Sequence, residues 1–335
     1  MSYKKFPALC AGGCALFLAL IAIAGGSMVI LPGQSYRGAL PPLELEELQL
    51  RDRLRQHVVQ LSGAIGERNV AHYDPLIKSA EYVKAELRKA GLSVSEQPFA
   101  ADGKVVANLE VEVKGTTEAQ EIVVIGAHYD SAPGTPGAND NASGVAALLE
   151  LARQCANLRP ARTVRFVAFV NEEAPYFQGE EMGSVVYARR AKERRDKIVG
   201  MVSLETIGYY SDQPGSQRYP APLSHFYPDT GNFIGFVSNW SSQSLLRQAI
   251  GAFRRGGVKF PSEGVAAPAG IPGIGWSDQW SFWQQGYPGL MVTDTAPFRY
   301  THYHEPSDTP DRIDYDRMTR VVQGLGKVVQ ELAGK

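Results

Sequence analysis

The sequence predicts an α/β fold, a three-layer α/β/α sandwich around a mostly parallel, mixed central sheet. Three observations carry this expectation. Short apolar runs such as EIVVIGA, TVRFVAFV and IVGMVSLE alternate with segments of helical period such as SGVAALLELARQCA, the order that covers a sheet with helices on both faces. Those runs are continuous, as strands buried on both sides are. A chain of 335 residues, 44% of them hydrophobic, also has enough apolar matter for one large core.

The elements follow in order. Lys4 and Lys5 precede an uncharged stretch over 7–31, long enough at about 1.5 Å per residue to cross roughly 30 Å of hydrocarbon. Positive charge before it and none directly after keep the N-terminus cytoplasmic. A signal peptide cleaved near Ala22-Ile23-Ala24 is the competing reading. Apolar residues continue through Leu31, which favours a transmembrane signal-anchor over residues 1–31. Either way the remainder is exported, to the periplasmic or extracellular side. Residues 32–45, with PGQSYRGALPP, read as a linker with little reason to fold, and 46–335 as a single domain.

Within that domain, 44–65 and 79–91 carry apolar residues at helical spacing, and Gly91 stops the second helix. Residues 92–99 and 105–115 alternate as paired strands do. A buried strand over 121–127 leads into loop 128–141, and Ser143 is placed to cap the next helix. Strand 163–170 ends directly at Asn171-Glu172-Glu173. A helix near 182–195, strands 198–205 and 232–239, a helix after Ser241, a strand over 287–295 and a closing helix over 315–332 complete the pattern.

Charge and cysteine content exclude several classes. A formal net charge of -1 without a basic cluster argues against a nucleic-acid surface. Cys10 and Cys14 fall in the N-terminal run and Cys155 in a helical pattern, which leaves no disulfide framework and no thiolate zinc site in the domain.

The reactive residues gather at predicted strand ends. His128, Glu172, Glu173 and Glu205 each close or follow a strand, the edge where α/β sheets place their ligands. Asp130 and Asp140 lie in the loop GAHYDSAPGTPGANDNASG, and His304 in THYHEPSDTPD. Singly, each has a structural reading: a turn cap at Asp130, an Asx-turn at Asp140, a solvated strand exit at Glu172-Glu173, a surface loop at His302 and His304. Jointly, so many carboxylates at one edge are costly unless cations neutralise them. Imidazole and carboxylate without thiolate suit zinc, and a pair of ions would account for the surplus of ligands, with Asp140 as the natural bridge.

The segments HYDS, GANDNASG, NEE, LETIG and YHEPSDTPD, in this order and spacing, resemble the co-catalytic di-zinc aminopeptidases of metallopeptidase family twenty-eight. The resemblance spans about residues 50–333, including LSGAIGERN and GWSDQWSFWQQGYPGLMVTDT. It implies that His128 and Glu205 hold one zinc, Glu173 and His304 the other, and that Asp140 bridges both. It further implies that Asp130 orients the His128 imidazole, that Glu172 is the general base, and that the peptide after Asp140 is cis. Asp278 in WSDQW is implied as a further supporting carboxylate. Two departures stand out: glutamate at position 205 where the family usually has aspartate, and SDQW where Ser-Asp-His is usual.

The implied activity is removal of N-terminal residues from peptides, by an enzyme tethered through its N-terminal helix. Two alternatives stay open: a glutaminyl-cyclase-like single-zinc acyltransferase on the same fold, and an inactive membrane-tethered binding ectodomain. The long insert 209–238, rich in Tyr, Phe and Pro, is either a lip over the pocket or a packed surface excursion.

Overall fold

The computed structural model describes residues 31–334, Pro222 excepted. The expected anchor, apart from Leu31, lies outside these residues, and among them no helix is long and apolar enough to cross a membrane.

Eight strands form the middle layer: β1 (Val94–Ala101), β2 (Lys104–Val113), β3 (Glu118–His128), β4 (Arg162–Phe169), β5 (Lys197–Glu205), β6 (Ile234–Ser238), β7 (Ser262–Ala266) and β8 (Gly289–Thr293). Their spatial order is β1-β2-β4-β3-β5-β8-β6-β7. The centre is parallel (β4, β3, β5, β8), the β1–β2 hairpin joins it antiparallel, and β6 runs antiparallel to β8. Mixed topology is thus confirmed, with the parallel stretch where strands are most apolar.

Alternation along the strands sorts their side chains onto two faces. On one face, Val123, Ile125 and Ala127 of β3 meet a large core with Val202, Leu204, Leu290 and Val292. The helices α1 (Leu45–Val58), α2 (Tyr73–Lys89), α3 (Gly144–Cys155), α5 (Gln243–Arg255) and α8 (Tyr315–Leu332) supply its outer layer. Close approach of α5 and α8 requires Gly324, where a Cβ would collide with the Phe253 ring. The opposite face carries smaller clusters: Ile122, Val124 and Met201 pack on α4 (Gly183–Glu193) and on Phe282 of α6 (Gln279–Gln284). The functional residues lie on this second, thinner side. A short α7 (Ala296–Arg299) follows β8.

Two expectations need correction. The linker is laid along the domain: Arg254 donates to the carbonyls of Pro32 and Gly33, the Ser262 N–H donates to the Ser35 hydroxyl at 2.9 Å, and Arg320 donates to the Pro41 carbonyl. Leu31 and Leu40 pack against the main core. Ser143 does not cap α3; its hydroxyl donates to the Asn139 carbonyl at 2.7 Å and accepts from the Ile207 N–H. The chain winds one irregular turn over Ala138–Ser143 before α3 begins, so the helix start is set by tertiary partners.

Candidate active site

Parallel neighbours end together, and this brings the predicted residues to one edge. His128 is the last residue of β3 and Glu205 the last of β5, while Glu172 and Glu173 follow β4. The His128 Nε2 atom lies 3.2 Å from Asp140 Oδ1, 3.3 Å from Glu205 Oε2 and 3.8 Å from Glu172 Oε2. The other Asp140 oxygen lies 2.9 Å from His304 Nε2, which stands 3.3 Å from Glu173 Oε1. Asp140 therefore sits between two imidazoles, one on each carboxylate oxygen.

Asp130 supports this arrangement from behind. Its Oδ1 is 3.4 Å from His128 Nδ1. Its two oxygens also accept the N–H groups of Glu172 and Glu173, at 3.2 and 3.1 Å. One buried carboxylate thus orients both the β3 imidazole and the turn that presents the paired glutamates. Asn171, just before that pair, has φ of 61°; Thr206, just after Glu205, has 47°, and His304 has 58°. Left-handed backbone at such residues is uncommon, most of all for a β-branched threonine, and it recurs where side chains must be aimed.

The loop carrying Asp140 is clamped on several sides. The Asp308 carboxylate accepts the N–H groups of Asn139 (2.9 Å) and Asp140 (3.1 Å) and the Tyr300 hydroxyl (2.8 Å). Asn139 donates to Asp294, and Asn141 to the Leu204 carbonyl. The wholly buried Arg68 donates to the carbonyls of Tyr129, Pro136 and Gly137; burial lowers its pKa to about 10 against the pull of Asp130 and Asp308. The Asp140–Asn141 peptide is cis, as the resemblance implies. Glu205 accepts the Ser277 hydroxyl at 2.7 Å, and Ser277 lies 3.0 Å from the Ser203 hydroxyl.

Asp308, Arg68, Ser277, Asn139 and Asn141 carry no predicted role, although all five stand inside the motifs quoted above. Their partners are mostly backbone groups, which no residue pattern encodes. Asp278 is fully buried with neither oxygen hydrogen-bonded, and burial pushes it up to about 7. His302 bonds Ser307, His225 lies in a short turn of the insert, and Glu180 and Glu181 are exposed; none joins the site. The insert contributes Tyr219, Leu223, Tyr227 and Phe233 to a cavity beside Glu205 and Tyr303, so it is not a remote excursion.

The electrostatics describe a cluster short of positive charge. Burial, then the charges of Glu205 and Glu173, push Glu172 well above the usual carboxylate range, with His128 opposing. Burial and Asp140 raise Glu173 to about 7. Asp140 is held well below its ordinary value, because the imidazoles of His128 and His304 on its two oxygens outweigh its burial. His304 is raised to about 10 by Asp140 and Glu173 in spite of partial burial.

These donors fit a pair of cations. His128 Nε2, Asp140 Oδ1 and Glu173 Oε1 are buried without a hydrogen-bond partner, a costly state that metal coordination relieves. His128–Asp140–Glu205, Asp140–Glu173–His304 and His128–Glu172–Glu173 each converge with donor atoms within 4.8 Å of one another, the first two sharing Asp140. The set contains imidazole and carboxylate only, which suits zinc in a reactive site.

The sequence profile of peptidase family M28 matches residues 108–329. An uncharacterized protein of Escherichia coli K12, YfbL, is 40% identical over 283 residues, covering 82% of this chain and 86% of that protein. Aminopeptidase YwaD of Bacillus subtilis is 26% identical over 64% of this chain, which spans only 42% of the relative. Among solved structures, a zinc aminopeptidase from Bacillus subtilis superposes with a TM-score of 0.66 at 17% identity, over 85% of this chain and 95% of that one. A glutaminyl cyclase from Fimbriiglobus ruber gives 0.63 at 20% identity, over 88% and 97%. At such identities the structural likeness fixes the fold and leaves the reaction to the site.

Proposed function

The chain belongs to peptidase family M28, and from that premise we propose that it is a zinc aminopeptidase that releases N-terminal residues from peptides. The observation that carries the reading is Asp140, with one oxygen facing His128 and the other His304. In this reading His128 and Glu205 would hold one zinc ion and Glu173 and His304 a second, with Asp140 available to both. Bound there, the ions supply Lewis acidity and a water of lowered pKa.

The protein's own groups do the rest. Glu172 is buried at the edge of the donor cluster and is not needed by either triad built on Asp140. Its carboxylate, 3.8 Å from His128 Nε2, stands where a base can take the proton of the attacking water and pass it to the leaving amine. Asp130 holds the His128 ring and the Glu172–Glu173 turn together, so base and ligands keep a fixed relative position. The Glu205 carboxylate, at the head of the insert-lined cavity, receives the substrate's free amine and makes the cleavage exopeptidic. The N-terminal apolar run, as an uncleaved anchor, tethers this domain to the exported side of a membrane.

Glu172→Gln tests the reading. Hydrolysis of aminoacyl amides should fall by about 10²–10⁴-fold while two zinc ions per chain remain bound. Unchanged turnover removes Glu172 from the mechanism. Closure of N-terminal glutaminyl peptides into rings, with one ion per chain and no release of residues, would assign the site to the cyclase reaction instead.

A further inference from the structure

The cavity beside Glu205 holds a second carboxylate, placed by the sheet itself. Register pairs Glu205 with Thr293, Thr293 with Gly235, and Gly235 with Glu263. Paired residues face the same way, so all four lie in one row across β5, β8, β6 and β7 on the thinner face of the sheet. Three strand spacings put the α-carbons of Glu205 and Glu263 about 14 Å apart. Between them stand only a threonine and a glycine, so the row forms a trench with a carboxylate at each end. The cavity has about 740 Å³ of empty space, its solvent mouth included.

The walls are apolar. Tyr219, Leu223, Tyr227, Val237, Ile274 and Phe298 line the trench. Its tyrosine hydroxyls are turned away: Tyr227 donates to the Gly264 carbonyl and Tyr219 to the Pro228 carbonyl. Thr293 is engaged with Thr206 and with the Thr295 N–H. Glu263 is half-buried; Arg254, the Ser35 hydroxyl and Arg37 lie near enough to favour its charged form, but the Arg254 guanidinium is spent on Ser262, Pro32 and Gly33, and no ion pair to Glu263 forms within 4 Å among the described residues.

We propose that this trench receives the first side chain of the substrate and that Glu263 selects for a lysine or arginine there. The inference rests on the aminopeptidase reading and names its substrate class. A substrate amine bonded to Glu205, an extended lysine or arginine stem of about 6–7 Å, and a second bond of about 3 Å to Glu263 together match the span between the carboxylates. The stem lies along tyrosine and aliphatic walls, and the ring faces favour the cationic end. A leucine or phenylalanine fills the near part of the trench and brings no cation to Glu263.

The test uses the full-length zinc-loaded protein and its Glu263→Gln and Glu263→Lys variants, each first checked for cooperative thermal unfolding. Two readouts apply: the ratio of lysyl to leucyl amide kcat/KM, and calorimetric binding of L-lysine against L-norleucine, the same stem without the charge. Wild type is expected to favour lysine in both. Glu263→Gln should lower the lysyl-to-leucyl ratio about 10- to 100-fold, and Glu263→Lys should turn preference toward glutamyl amides. If leucyl amides are hydrolysed but the ratio is the same in all three proteins, this inference is overturned and the aminopeptidase reading stands. If no aminoacyl amide is hydrolysed, both fall.

Discussion

Replacing Asp308 by asparagine probes how the fold holds the shared carboxylate of the proposed centre. Asp308 touches none of the donor atoms. It fixes Asp140 through the main chain, accepting the N–H of Asn139, the N–H of Asp140 and the Tyr300 hydroxyl. It is fully buried, and burial raises its pKa to about 6 against those three bonds, so it is mostly ionised at neutral pH. Asparagine keeps the shape but turns one acceptor into a donor. Whichever way the amide is oriented, one backbone N–H, of Asn139 or of Asp140, then faces an NH₂ group. Losing one charge-assisted bond and orphaning a buried donor costs about 2–4 kcal/mol, and the carboxylate of Asp140 loses its fixed direction. Zinc affinity should fall about 10- to 100-fold, the usual effect of disturbing a group behind a metal ligand. The assay is competition with a chelator of known affinity, with Tyr300→Phe as comparison because it removes one donor and leaves both backbone bonds intact. Asp308→Asn binding zinc within about twofold of wild type would refute the claim that this clamp positions Asp140.

Two further outcomes are expected. Stripping metal with a chelator should lower the thermal midpoint by about 5 °C or more and zinc should restore it, because the buried donors lose their counter-charge; a midpoint unmoved after verified metal loss would contradict the fit of this cluster to cations. Away from the site, Glu150 of α3 is buried, yet hydrogen bonds from His57, Arg153 and Arg53 outweigh its desolvation and lower its pKa from 4.5 to about 2. A depressed folded-state pKa stabilises above the unfolded value and is lost as pH falls through the folded one. The stability gap between wild type and Glu150→Gln in urea should therefore be about 3 kcal/mol near neutral pH and close between about pH 5 and pH 2; a gap that widens on acidification would show the pairing to be misread.

Much of the site was legible because strand ends and residue chemistry are both local signals. Apolar runs stopping at His128, Asn171 and Glu205 located the reactive edge before any contact was known. What stayed hidden depends on partners far away in the chain. Nothing in PGQSYRGALPP announces that Arg254 and Arg320 will bind its carbonyls, so composition suggested a loose linker. Helices of six and four residues, α6 and α7, are too short to display a period. The five-residue β7, SEGVA, carries a glutamate and a glycine where an apolar run is sought. Ser143 has the right chemistry for a cap, but the Ile207 N–H and the Asn139 carbonyl use its hydroxyl first.

The glutamate that spoils β7 as an apolar strand is the one aimed into the trench, and the same logic governs the whole second face. Alternation sends Val123, Ile125 and Ala127 into a core roofed by five helices and sends residue 128 the other way. If the second face were roofed as fully, Glu205 and Glu263 would be sealed in apolar packing, a position no carboxylate holds without a partner. Among the described residues only α4, α6 and the four-residue α7 cover it, and the insert bends around the gap instead of filling it. Stability is thus concentrated on the side with the long amphipathic helices, which leaves the thinner side free to carry buried carboxylates and open space.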